Sequence, residues 1–178
     1  ADVAPVIPPG YSERGLRFFA NRVQPVMVRK GCMFLNCHSP SMFHDLRLRG
    51  GSGGVFSRIA VQKNYDMSRH LLALESADPN ESRLIAKNLH PPTSLVGGKG
   101  IAHRGGALFE DFGSGGSTDL ADPTNCNGVN ADTGDLATVP SYCVLVRWHQ
   151  IERQAAQARG EIFPDADPVR SVVWVSRP

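Results

Sequence analysis

The chain has 178 residues, of which 41% are hydrophobic and 20% charged, enough for one domain with its own core or two small ones. Its formal net charge of +2 argues against a protein that coats nucleic acid, and no apolar run approaches the roughly 18 residues of a membrane span. The 18 glycines and 13 prolines predict a fold rich in turns and irregular loops.

The N-terminal part of the chain predicts an arm followed by helix. Residues 1–10 are proline-rich, and we expect an extended N-terminal arm there. Ser12 is a suitable N-cap for a helix with apolar residues at helical spacing, namely Leu16, Phe19 and Val23. Pro25 either interrupts this helix or begins a second short one.

The middle of the chain predicts short elements joined by loops. Residues 32–45 form a loop, residues 45–49 alternate like a short strand, and residues 56–74 are ambiguously helical. Asp78 is a good N-cap for a further helix, which the proline pair beginning at Pro91 ends.

The remainder predicts a long insert and a final helix. Residues 93–139 are dominated by loops, and a loop of this length in a compact domain needs a cofactor or a disulfide to hold it. A last helix should cover residues 141–159 and end at Gly160. Residues 171–176 have the composition of a strand.

The residues with the clearest chemistry are Cys32, Cys37 and His38. A c-type haem is held by two cysteine thiols, one for each vinyl group, and by a histidine that directly follows the second cysteine, usually as Cys-x-x-Cys-His. Four residues separate the cysteines here, while the Cys37-His38 pair is intact. The motif predicts one covalently bound haem c with His38 as the proximal iron ligand.

Two other interpretations of this motif stay open. Cys32 and Cys37 could form a small-loop disulfide, or they could bind zinc together with His38 and His44. A zinc finger keeps its two ligand pairs about a dozen residues apart, whereas these four residues follow one another closely. Either interpretation predicts a non-haem binding module.

Several motifs together resemble the planctomycete-type cytochrome c domain. They are Phe18-Phe19, Val23-Gln24-Pro25-Val26-Met27, Cys32, Cys37-His38, Asp45-Leu46-Arg47-Leu48, the run from Asp78 to Ile85, and Trp148 in the closing helix. The departures are the spacing of the cysteines and the insert at 93–139. The resemblance implies a mainly α, cytochrome c-like domain over residues 11–160, with long irregular loops and one or two short strands.

The distal iron ligand has to come from outside the attachment loop. His103 lies between two Gly-Gly pairs, which let the backbone approach a flat macrocycle closely, and similar stretches occur in the family that the chain resembles. We expect His103 to be this ligand, and the alternatives are His70, His44, a methionine or an open site. The expected partners of the haem propionates are basic, namely Arg47, Arg49, Lys99 and Arg104.

A second cysteine pair, Cys126 and Cys143, predicts a disulfide that ties the insert to the last helix. Closing such a loop contributes roughly 3 kcal/mol to stability. Asp and Asn residues between positions 119 and 135 offer oxygen ligands, but they lack the EF-hand spacing, so calcium is a weaker alternative.

These features predict a monohaem c-type cytochrome domain that passes electrons to a redox partner protein, since two nitrogen ligands favour electron transfer over chemistry at the iron. One alternative is a haem enzyme or small-ligand binder with an open distal site, and the other is the non-haem module. The start at Ala1 without a methionine indicates either a processed N-terminus or a segment cut from a longer chain, and the first of these predicts a periplasmic or extracellular location. Residues 161–178 indicate a C-terminal extension that begins a β-domain, and hence a module of a larger protein.

Overall fold

The structure is a computed structural model that describes residues 10–33, 37–52, 55–94, 98–110 and 121–162. Its helices, in chain order, are α1 (Glu13–Phe18), α2 (Gln24–Arg29), α3 (Arg58–Arg69), α4 (Arg83–Ala86) and α5 (Ser141–Ala158). Within the described ranges no β-strand occurs, apart from an isolated bridge between Ser52 and Val55. The mainly α class is therefore confirmed. No helix in these ranges is long and apolar enough to cross a bilayer.

The first helical region begins where the sequence predicts. The Ser12 hydroxyl accepts a hydrogen bond from the Gly15 amide at 3.0 Å, as expected of an N-cap. Pro25 does not break the helix, because a π-helical turn over Phe19–Val23 links α1 to α2. The wider turn accommodates a residue that lacks an amide proton and clashes with the preceding turn.

The short strand predicted over residues 45–49 is wrong. The segment is extended with alternate residues buried, Leu46 and Leu48, but no neighbouring strand pairs with it among the described residues. Its backbone groups bond elsewhere, since the Leu48 amide donates to the His38 carbonyl and the Arg49 amide donates to the Asn64 side chain, both at 2.6 Å. The strand predicted over 171–176 and most of the arm at 1–10 lie outside the described residues.

The ambiguous region at 56–74 contains α3, whereas the helix predicted from Asp78 is shorter than expected. Asp78 does cap it, accepting from the Asn80 amide at 2.9 Å. The chain makes only a 3-10 turn over Pro79–Glu81 before α4 begins.

The core surrounds α5, whose Trp148 is fully buried with its ring centre 5.1 Å from that of Phe19. Helices α1 and α5 meet at Gly15, where an added Cβ would lie 1.7 Å from the Glu152 carboxylate. This buried carboxylate accepts from the Tyr65 hydroxyl at 2.6 Å and from the Arg69 guanidinium at 2.8 Å. A polar cluster therefore fixes the helix crossing inside an apolar core.

The described part of the insert is fastened to this core. The predicted disulfide between Cys126 and Cys143 is confirmed, and it joins a 3-10 turn over Pro123–Cys126 to the first turn of α5. The last helix ends as predicted, because Gly160 has a positive φ of 70°. Next to it, the Arg159 guanidinium donates to the Gly10 carbonyl at 3.0 Å, so the two ends of the helical unit are adjacent.

Candidate functional site

A cavity of about 170 Å³ opens to the surface between the loop after α2 and helix α4. Three histidines line it, namely His38, His44 and His103. Apolar side chains complete its walls (Leu46, Leu71 and Leu84), together with the cationic Arg83 and Lys87. Residues that are far apart in the sequence thus meet at one site.

His38 is oriented by the extended segment that follows it. Its Nδ1–H donates to the Leu46 carbonyl at 2.9 Å, which leaves Nε2 as the nitrogen available to a metal. Burial is the main cause that lowers the pKa of His38, and the hydrogen bond to Leu46 opposes it. The lowered pKa favours the neutral imidazole, which is the form that binds metal ions.

His103 faces His38 across the cavity. The two ring centres are 6.0 Å apart and the ring planes differ by 25°. A metal bound between two imidazole nitrogens at about 2.0 Å places the ring centres roughly 6.2 Å apart. The observed separation of the ring centres is close to this value.

The loop that carries His103 is held against the end of α4 and the residues after it by backbone hydrogen bonds. The Gly100 amide donates to the His90 carbonyl and the Ile101 amide donates to the Ala86 carbonyl, both at 2.8 Å. Further along, the Phe109 amide donates to the Asn88 carbonyl at 3.1 Å. His103 is thus carried by a loop with a fixed position.

Gly105 makes room for the His103 ring. A Cβ at this position would lie 2.7 Å from Cε1 and 3.2 Å from Nδ1 of His103. The first distance is shorter than real Cβ contacts allow. Gly105 thus lets the backbone lie close to the His103 ring. From the sequence, the glycines were expected to let the backbone lie close to the haem macrocycle instead.

The other candidate ligands are placed differently. His44 is exposed at the cavity, with its ring centre 5.6 Å from that of His38. His70 is not among the cavity residues, and its Nδ1–H donates to the Asp66 carbonyl at 2.6 Å. Met27 is buried in the core.

The two motif cysteines differ in environment. Both are free thiols, so the Cys32–Cys37 disulfide is absent from this structure. Cys32 is buried, and burial raises the pKa of its thiol to about 11, whereas Cys37 is exposed. Neither is among the residues that line the cavity, although the Cys32 carbonyl accepts from the His38 amide at 3.1 Å. Residues 34–36 between them lie outside the described part.

The described residues contain no group of three or more His, Cys, Asp or Glu side chains arranged to hold a metal ion. The alternative zinc site, made of the two motif cysteines with His38 and His44, is therefore not formed among these residues. The calcium alternative also lacks support, because Asp132 pairs with Arg147 at 2.9 Å and Asp122 accepts from the Thr124 amide at 2.8 Å. A haem iron needs only two side chains, since its porphyrin supplies four nitrogens.

The cations at the cavity differ from those expected. Arg47 and Arg104 are exposed and are not among its lining residues. Arg83 and Lys87 line it instead, and Arg83 also pairs with Asp45 at 2.8 Å. Their spacing of four places both on one helical face, a signal that is visible in the sequence.

No protein-family model matches this sequence, and neither a curated protein nor a solved structure has significant similarity to it. The resemblance to a cytochrome c domain therefore stays a prediction from motifs.

Proposed function

We propose that this chain is a monohaem c-type cytochrome domain that transfers electrons. His38 and His103 are the axial ligands, and Cys32 and Cys37 are the attachment points. The observation that carries the proposal is the 6.0 Å separation of the two imidazole rings, beside a cysteine-histidine pair of the c type.

The chain's own groups suit this role. The Leu46 carbonyl fixes the tautomer of His38 and makes its Nε2 a better donor. Bound haem supplies an iron that alternates between the ferric and ferrous states. Two imidazole ligands leave no coordination position for a substrate, which favours electron transfer over chemistry at the iron.

Carboxylates of the haem propionates need cationic partners. Arg83 and Lys87 line the cavity and can supply them from α4 and the residue after it. Arg47 and Arg104 remain candidates from the exposed rim. The cavity opens to solvent, so a haem held there would be accessible to a redox partner protein.

The proposed location is periplasmic or extracellular. The disulfide between Cys126 and Cys143 supports it, because disulfides persist in oxidising compartments.

The test is production of the full chain together with a c-type haem maturation system. The intact mass should exceed that of the chain by one haem, and the colour should stay with the protein after acid–acetone extraction. A colourless protein of bare chain mass rules out the proposal and favours the non-haem module.

The axial ligands are tested by spectroscopy of the same protein. We expect a low-spin spectrum and no binding of carbon monoxide in the reduced state. His103→Ala should turn the iron high-spin and allow carbon monoxide to bind, whereas His70→Ala, outside the cavity, should change neither. A wild type that already binds carbon monoxide readily favours the alternative of a haem enzyme or ligand binder with an open distal site.

A further inference from the structure

Two buried polar atoms at the cavity have no hydrogen-bond partner within the described part of the chain. They are Nδ1 of His103 and Oδ1 of Asn88, and both residues line the cavity. Asn88 is only 7% exposed and its Oδ1 atom is itself buried at the cavity wall, so a partner has to come from within the cavity. A buried polar atom without a partner is costly, and each of these needs a complement.

The orientation of Asn88 is set by its other amide atom. Nδ2 donates to the Leu84 carbonyl at 2.8 Å, which leaves Oδ1 as a free acceptor. The backbone of Asn88 also holds the far side of the His103 loop, because its carbonyl accepts from the Phe109 amide at 3.1 Å. Asn88 is therefore fixed with respect to both the cavity and the loop.

A histidine that binds a metal through Nε2 carries its proton on Nδ1 and needs an acceptor there. His38 has the Leu46 carbonyl as this acceptor. We propose that Asn88 is the corresponding positioning residue for His103, with Oδ1 accepting a hydrogen bond from Nδ1–H when His103 is bound to the iron. The inference rests on the proposed function, and it accounts for both unpaired atoms with one bond.

Loss of a partner of this kind typically weakens metal binding by about 10–100-fold. In the haem-loaded full chain, Asn88→Leu removes the acceptor, so added cyanide should displace His103 from ferric iron about 10–100-fold more readily. The midpoint potential should rise, because a less basic ligand stabilises the ferric state less. Asn88→Asp provides a stronger acceptor and should shift both quantities in the opposite direction.

A matched control is Asn80→Leu. Asn80 is also a buried amide, 6% exposed, but its Nδ2 donates to the Ala121 carbonyl at 2.6 Å and it is not among the cavity residues. The Asn80→Leu substitution should lower the free energy of unfolding without changing the midpoint potential or the cyanide affinity. If Asn88→Leu fails to fold, the opposite shift expected for Asn88→Asp decides the question.

The two proposals fail in different ways. Absence of covalent haem from the native chain overturns both of them. Suppose that the native haem is low-spin and becomes high-spin in His103→Ala. If both Asn88 variants then keep the native midpoint potential and cyanide affinity, only the role of Asn88 is overturned.

Discussion

Replacing Gly105 with alanine should displace the proposed distal ligand. The new Cβ would lie 2.7 Å from Cε1 of His103, whereas ordinary contacts begin at 3.4 Å, so the ring must retreat by about 0.7 Å. That is roughly a third of a metal–imidazole bond of about 2.0 Å. Gly105 does not have a positive φ, so the substitution introduces this contact without backbone strain.

The assay is the optical spectrum of the haem-loaded protein, together with carbon monoxide binding in the reduced state. In Gly105→Ala we expect part of the haem to become high-spin and carbon monoxide to bind faster, while the haem stays covalently attached. Gly50→Ala is the control, since a Cβ there meets nothing within 4 Å. A Gly105→Ala protein with the native spectrum and native potential would refute the view that Gly105 positions His103.

Three further predictions concern the fold and the thiols. Gly15→Ala should lower the free energy of unfolding by about 3–5 kcal/mol in urea denaturation, because the new methyl displaces the buried Glu152 carboxylate from its two donors. In the haem-free chain at pH 8, iodoacetamide should modify the exposed Cys37 well before the buried Cys32. The pKa of Cys32 is about 11, so roughly one in a thousand of these thiols is ionised at that pH. Equal rates of modification would contradict this prediction. Burial lowers the pKa of His149 in the folded state. As the pH drops below about 6.5, the unfolded state therefore binds a proton on this histidine before the folded state does, and the free energy of unfolding should fall. His149→Gln should flatten that slope.

Local chemistry explains which parts of the fold could be predicted. Ser12 and Gly160 mark helix ends through their own backbone preferences, and the sequence shows them directly. The strand over 45–49 was wrong for a physical reason. Apolar and polar residues do alternate there, since Leu46 and Leu48 are buried. Such alternation indicates an extended segment with one buried face, but it does not show that a second strand pairs with the segment.

Part of the candidate site could also be predicted from the sequence, because glycine is a local signal. Glycines around position 103 singled out His103, and the structure brings its ring opposite that of His38. The cavity-facing roles of Arg83, Lys87 and Asn88 depend on how α4 and the residues after it are turned towards the loop. Tertiary packing decides that orientation, and no local pattern encodes it.

The adjacency of Gly10 and Arg159 has a consequence for engineering. Because the Arg159 side chain bonds the Gly10 carbonyl, the two ends of the described helical unit lie close together. Domains of this shape tolerate insertion into a surface loop of a host protein and circular permutation through a short peptide bridge. A block joined in this way could be placed within another chain without separating the host's own elements.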